Sequence, residues 1–337
     1  MRKLFVVSLA AMCAAMLIPT ASAQNMNGAG ATFPDPIYKK WFGEFKGLHP
    51  TIQINYQAIG SGGGVKQLTE GTVDFGASDF PMTDAQMALM KVKPLHFPTV
   101  LGGIVIIYNV PGITAKLKLS GETVAGIYLG DIAKWNDAKI AADNPGVKLP
   151  STDILVVRRS ESSGTSFVFT DYLSKVSPAW KTRIGVSASV TWPVGVGQAK
   201  NDGVAGMVKQ TPGAIGYVEL GYAVENKIAY ADLKNAAGKF VTASFDSVTA
   251  AAANSKDLAP DFRGSITNAP GAGTYPISTY TWLLIPSQIP DAAKKKAIVE
   301  ALNWMLGPGQ KDAQPLYYAP LPKKIVDLET KQIAQIK

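Results

Sequence analysis

Four times along this 337-residue chain, a cluster of small and hydroxyl residues sits beside the start of a helix-like segment. The clusters are Gly28-Ala29-Gly30-Ala31-Thr32-Phe33, the run from Gly60 to Gly64, Ala77-Ser78-Asp79, and the run from Ser162 to Ser166. Any one alone usually just makes a turn. Repeated in a chain that alternates strand and helix signals, they restrict it to α/β folds, where ligands collect outside the carboxyl ends of strands. The fourth cluster is the richest. Apolar Ile154-Leu155-Val156-Val157 leads into Arg158-Arg159-Ser160-Glu161-Ser162-Ser163-Gly164-Thr165-Ser166, and a helix-like segment from Phe167 leads out. A helix start presents unpaired N–H groups and the positive end of its dipole. Arginine and hydroxyls added there suit a small oxyanion.

The alternation is visible on both sides of these clusters. Ile37, Trp41, Phe45 and Leu48 follow helical spacing, whereas Ile52, Ile54 and Tyr56 alternate as one face of a strand. The glycine run reads as a loop before a helix over 65–70, and Thr83 with Gln86 has capping-box spacing. Residues 101–110 and 275–285 are apolar strands, and 292–306 carry a helical pattern. No fixed-period repeat is evident. The length suits two α/β domains, and the pattern alone does not place their boundary.

The chain begins with basic Arg2-Lys3, an apolar stretch over 4–18 and the small-residue triplet Ala21-Ser22-Ala23. This predicts a secretory signal peptide over residues 1–23, cut after Ala23. The single cysteine, Cys13, falls within it, so the mature chain has no disulfide framework. Met12 stands where a lipoprotein signal usually has a small residue, which disfavours a lipid anchor. The formal net charge is +8, including Arg2 and Lys3. The basic residues are dispersed apart from Lys294-Lys295-Lys296, a pattern expected of a solvated face and not of nucleic-acid binding.

The residue inventory speaks for binding over catalysis. The glycine run lacks the Lys-Ser/Thr ending of a P-loop, and Gly28-Ala29-Gly30 lacks the third glycine of a dinucleotide fingerprint. His49 and His96 both lie next to prolines or turn signals and read as turn or surface residues. Paired metal ligands are absent, and Ser163 lacks a nucleophile-elbow motif and an evident histidine partner. Asp79 has two readings. It is either a cap for the turn at Pro81-Met82-Thr83 or an acceptor for an anion that still carries a proton. Phosphate keeps a proton near neutral pH and sulfate does not, so a carboxylate among donors selects phosphate.

The four clusters, together with Phe97-Pro98-Thr99-Val100, Tyr128-Leu129-Gly130, Trp192-Pro193-Val194-Gly195 and the run Gly213 to Glu219, closely resemble the PstS family. These are the periplasmic phosphate-binding proteins of the phosphate ABC importer, and the resemblance spans essentially the whole mature chain. It implies an α/β, two-domain periplasmic-binding-protein fold of type II-like form, with the ligand in the interdomain cleft and two crossover strands. Residues 101–108 and 275–285 would be the crossovers. One discontinuous domain would comprise 24–104 plus 275–337, and the other 105–274. The resemblance further implies periplasmic capture of inorganic phosphate, as HPO4 or H2PO4, and delivery to a membrane ABC permease with its ATPase subunits. It implies a monomer with no cofactor and no enzymatic activity. The phosphate ligands carried over are Thr32, Phe33, Ser61, Asp79, Arg159, Ser163, Gly164 and Thr165. By position in the resembling stretch, Arg159 and not Arg158 matches the family arginine; strand neighbours face opposite ways, so only one of the two can reach the cleft. The chain departs from the common pattern at Glu161-Ser162, where Asp-Gly is usual, and at Gly62, where serine is common. Whether Glu161, with its longer stem, pairs with Arg159 and holds its fork is left open by the sequence. The rival readings are a secreted phosphatase or phosphoryl-transfer enzyme using the same pocket, and a receptor for another tetrahedral oxyanion such as arsenate.

Overall fold

The computed structural model describes residues 24–255 and 258–337. The predicted signal peptide and its cleavage site lie outside the described residues. The strands are β1 (Gln24–Gly30), β2 (Ile52–Ala58), β3 (Phe75–Ser78), β4 (Pro94–Tyr108), β5 (Lys118–Leu119), β6 (Leu155–Arg159), β7 (Val196–Gln198), β8 (Ala214–Glu219), β9 (Ala229–Tyr230), β10 (Asp232–Lys234), β11 (Phe240–Val241) and β12 (Ser278–Pro286). The main sheet runs β2-β1-β3-β12-β4-β8-β6-β7, with β9 also on β4, and β11-β10-β5 form a small separate sheet. Helices fill the connections: α1 (Asp35–Leu48), α2 (Ser61–Glu70), α3 (Asp84–Ala88), α4 (Gly121–Leu129), α5 (Ala138–Asp143), α6 (Gly164–Val176), α7 (Pro178–Arg183), α8 (Lys200–Gln210), α9 (Leu220–Glu225), α10 (Phe245–Asn254), α11 (Ala292–Leu306) and α12 (Lys323–Ile333). Among the described residues no helix is long and apolar enough to cross a membrane.

β4 joins the two halves of the sheet. Pro94 to Gly103 pair antiparallel with β12, and Ile104 to Tyr108 pair antiparallel with β8. Its β-branched and aromatic residues are buried almost throughout, which suits a strand covered on both faces. The strand starts seven residues before the expected 101. Pro94 can open it because a first residue need not donate to the ladder, and Pro98 is accommodated where the register against Thr281 and Trp282 shifts. That bulge turns Thr99 Oγ1 inward, 2.9 Å from Tyr38 Oη and 3.2 Å from the Thr281 carbonyl.

Two other expectations are corrected. His96 is not a turn or surface residue: it is buried within β4, and its Nε2 accepts the Met82 N–H at 3.0 Å. Burial lowers its pKa to about 4. His49 does sit at a helix end, as expected, capping α1 with its ring stacked on Phe45. The glycine run is not a loop either, because α2 already begins at Ser61. Gly62 must be small there, since a Cβ on it would lie 2.1 Å from Ser162 Oγ. The loss in helix propensity is accepted for close approach of the fourth cluster. The Thr83–Gln86 capping box is present as expected.

The chain's C-terminal segment returns to the first half. Trp41 Nε1 donates to the Gly309 carbonyl at 2.7 Å, and Ala319 pairs with Leu101 on β4. Gly102 on β4 lies against the ring of Phe33, where a Cβ would come within 2.4 Å. The crossing strand therefore sets the position of the first loop.

Candidate anion-binding site

The parallel strands β2, β1 and β3 end side by side, so the loops that follow them share one edge. Thr32 and Phe33 follow β1, and both are buried. Their carbonyls accept from Tyr222 Oη and Tyr318 Oη, each at 2.6 Å, which occupies these two acceptors of the loop. Ser61 opens α2 after Gly60, whose φ of +95° suits glycine. Ser61 Oγ accepts the Asp79 N–H at 3.1 Å and lies 3.4 Å from Asp79 Oδ2. Asp79 Oδ1 accepts from Thr281 Oγ1 of β12 at 2.9 Å. Asp79 is 1% exposed. Burial pushes its pKa from 3.8 to about 7, against the opposing pull of the Thr281 bond, the Arg159 charge and the Ser61 bond.

The opposite wall grows from β6. Arg159 is its last residue and is buried, whereas Arg158 faces the other way and is partly exposed. Behind Arg159, Tyr217 Oη accepts its backbone N–H at 3.2 Å and lies 2.6 Å from Ser166 Oγ. The guanidinium is shared. Nε donates to Glu161 Oε1 at 3.0 Å, Nη2 bonds the same oxygen, and Nη1 donates to Thr165 Oγ1 at 3.2 Å. The Arg159–Glu161 pair, which the sequence left open, therefore forms. Burial raises the Glu161 pKa, but the Arg159 hydrogen bond and charge outweigh it and leave the carboxyl below its usual range.

Ser163 caps α6, its Oγ accepting the Ser166 N–H at 3.2 Å. Its own N–H goes to the Ala188 carbonyl at 3.0 Å, so only its hydroxyl proton is left to offer a ligand. Gly164 meets the first wall directly. A Cβ there would lie 2.2 Å from Ser61 Oγ and 2.5 Å from Asp79 Oδ2. The eight sequence-expected residues thus come together, all buried, from loops after β1 and β3, from the end of β6 and from the starts of α2 and α6. A groove of about 540 Å3 opens beside them, with Phe80 and Phe167 stacked 4.6 Å apart in its wall.

Sequence reasoning missed three contributors: Thr281, Tyr217 and Asn201. Thr281 lies inside a recognised strand, where period 2 gives a face and not a partner, and Tyr217 lies in a run that marked only the family resemblance. Asn201 Nδ2 donates to Thr32 Oγ1 at 3.0 Å, and no spacing in the sequence marks it.

Residues 18–304 match the model of the PBP superfamily domain. The phosphate-binding protein PstS of Xylella fastidiosa is 46% identical over 304 residues, covering 90% of this chain and 83% of the relative. The chain belongs to the PstS family. A PstS of Haemophilus influenzae is 43% identical over 311 residues, which are 92% of each chain. Among solved structures, a phosphate binding protein from Stenotrophomonas maltophilia superposes with a TM-score of 0.70 at 19% identity, covering 92% of this chain and 94% of that one. This PstS-family chain therefore has the two-domain α/β periplasmic-binding-protein fold expected from its sequence, with β4 as the strand that pairs on both sides of its sheet.

Proposed function

We propose that this protein captures inorganic phosphate between its two walls and delivers it to a membrane ABC permease and its ATPase subunits. The observation that carries the reading is the pairing of one buried arginine with one buried, proton-prone carboxyl across a ring of hydroxyls and helix starts. Arg159 supplies charge and the hydroxyls supply donors. Asp79 accepts the proton that phosphate retains. A fully ionised tetrahedral anion would leave two buried charges facing each other. Thr32, Phe33, Ser61, Asp79, Arg159, Ser163, Gly164 and Thr165 are the ligands in this reading.

The protein works in the periplasm as a monomer, after removal of residues 1–23. Residues 24–104 with 275–337 form one closing lobe and 105–274 the other, which agrees with β4 changing partner at Gly103 and Ile104. It acts as a receptor without catalysis. Ser163 Oγ serves as a helix cap, His96 accepts the Met82 N–H, and His49 stacks on Phe45 at the end of α1.

Calorimetric titration with phosphate and with sulfate tests the selectivity. Wild-type protein should prefer phosphate by at least a thousandfold, and Asp79→Asn should narrow that preference by about a hundredfold. Comparable affinities for the two anions in the wild type would sink this reading of Asp79.

A further inference from the structure

Asn201, the second residue of α8, is fully buried between the two walls. Its amide orientation is settled from behind. The backbone N–H of Glu219 can only donate, and it donates to Asn201 Oδ1 at 3.3 Å. The Nδ2 group must then face the site. It donates to Thr32 Oγ1 at 3.0 Å and reaches Thr165 Oγ1 at 3.5 Å, one hydroxyl from each wall. Thr165 Oγ1 also receives Arg159 Nη1.

A hydroxyl has one proton and two lone pairs. When donors occupy its oxygen, its proton has to point elsewhere. We propose that Asn201 is a positioning residue that sets hydroxyl polarity: by donating to Thr32 and Thr165 it commits both hydroxyl protons to the bound anion. An oxyanion accepts at most of its contacts, so a hydroxyl free to present lone pairs would oppose it. Asp79 then remains the acceptor in the ring. This inference rests on the phosphate reading above and adds a residue to it.

The turn that carries Asn201 is itself held. Lys200 has a φ of +62°, a left-handed conformation that a non-glycine residue adopts only under constraint. Its N–H donates at 3.0 Å to Glu161 Oε1, the oxygen that also binds Arg159. Glu161 therefore orients the arginine and the asparagine together.

Phosphate titrations of wild type, Asn201→Ala and Asn201→Asp at pH 8 and pH 5.5 test the assignment, with each variant compared with wild type at the same pH. Arg159, Glu161, Asp79 and Glu219 surround the position, and that ratio cancels their own titration. N201A should lose about tenfold at pH 8. Its penalty should shrink at pH 5.5, because monobasic phosphate carries an extra proton that a freed hydroxyl can accept. N201D should lose at least a hundredfold at pH 8, where its carboxylate draws both hydroxyl protons away. It should regain at least tenfold at pH 5.5, where a protonated carboxyl can donate again. Penalties that do not change with pH, or a loss under twofold in N201A, would overturn the inference, and N201A alone decides it if N201D does not fold. A wild-type chain that binds no phosphate would overturn the proposed function instead.

Discussion

The two walls of the site each bring one carboxylate, and their surroundings drive them in opposite directions. Asp79, between β3 and α3, is enclosed by Ser61 and Thr281 hydroxyls, and burial holds its pKa near 7. Glu161, between β6 and α6, is a quarter exposed and lies on the Arg159 guanidinium, which keeps it ionised. The same functional group is thus a proton-exchanging acceptor on one wall and a fixed counter-charge on the other. The difference comes from the distance to a cation and the access of water, which are the two influences that most often separate carboxyl pKa values.

The strongest way to break the contrast is to remove the cation. Arg159→Met should lower phosphate affinity by about a thousandfold, because it deletes the charged donor and leaves Glu161 without its partner. Calorimetry would show this, and a change under tenfold would mean the arginine is not a ligand. Gly164→Ala attacks the contact between the walls. Its methyl group cannot coexist with Ser61 Oγ and Asp79 Oδ2 in the present arrangement, so affinity should fall roughly ten- to a hundredfold. The thermal midpoint of the ligand-free protein should change little, since the walls can part to admit the methyl.

The smallest expected effect sharpens the comparison through pH. Asp79 holds a proton in the folded state up to about pH 7, whereas the unfolded chain releases it near 3.8. Between those values the folded state binds more protons, so this group's contribution to stability declines as pH rises and is flat above about 7. Water entering a ligand-free cleft would soften the burial, which limits the effect to about 1–2 kcal/mol. Denaturation midpoints of wild type and Asp79→Asn between pH 4 and 8 would reveal it as a difference in slope. Parallel curves would mean Asp79 is hydrated.

Much of this was readable in the chain itself. Hydroxyl and glycine clusters beside helix starts are local events, and a helix start exposes its N–H groups whatever the rest of the protein does. The strand parity at Arg158 and Arg159 is equally local: it says that only one of the two can face the cleft, the family resemblance picks Arg159, and Arg159 is the buried one. The failures have one cause. His96 and Pro98 carry turn signals in sequence, yet pairing with β12 and a bulge keep both inside β4. The glycine run carries a loop signal because propensity ignores Ser162, which packs against Gly62 from a hundred residues away.

The sequence by itself determined which residues could hold an oxyanion, because helix starts, glycine geometry and side-chain inventories depend on near neighbours. Only the tertiary structure decided that Asp79 meets Thr281, that Asn201 spans Thr32 and Thr165, and that Glu161 serves Arg159 and Lys200 together. Those contacts set proton positions and charge states. They depend on burial and on partners distant in the chain, which no local pattern encodes.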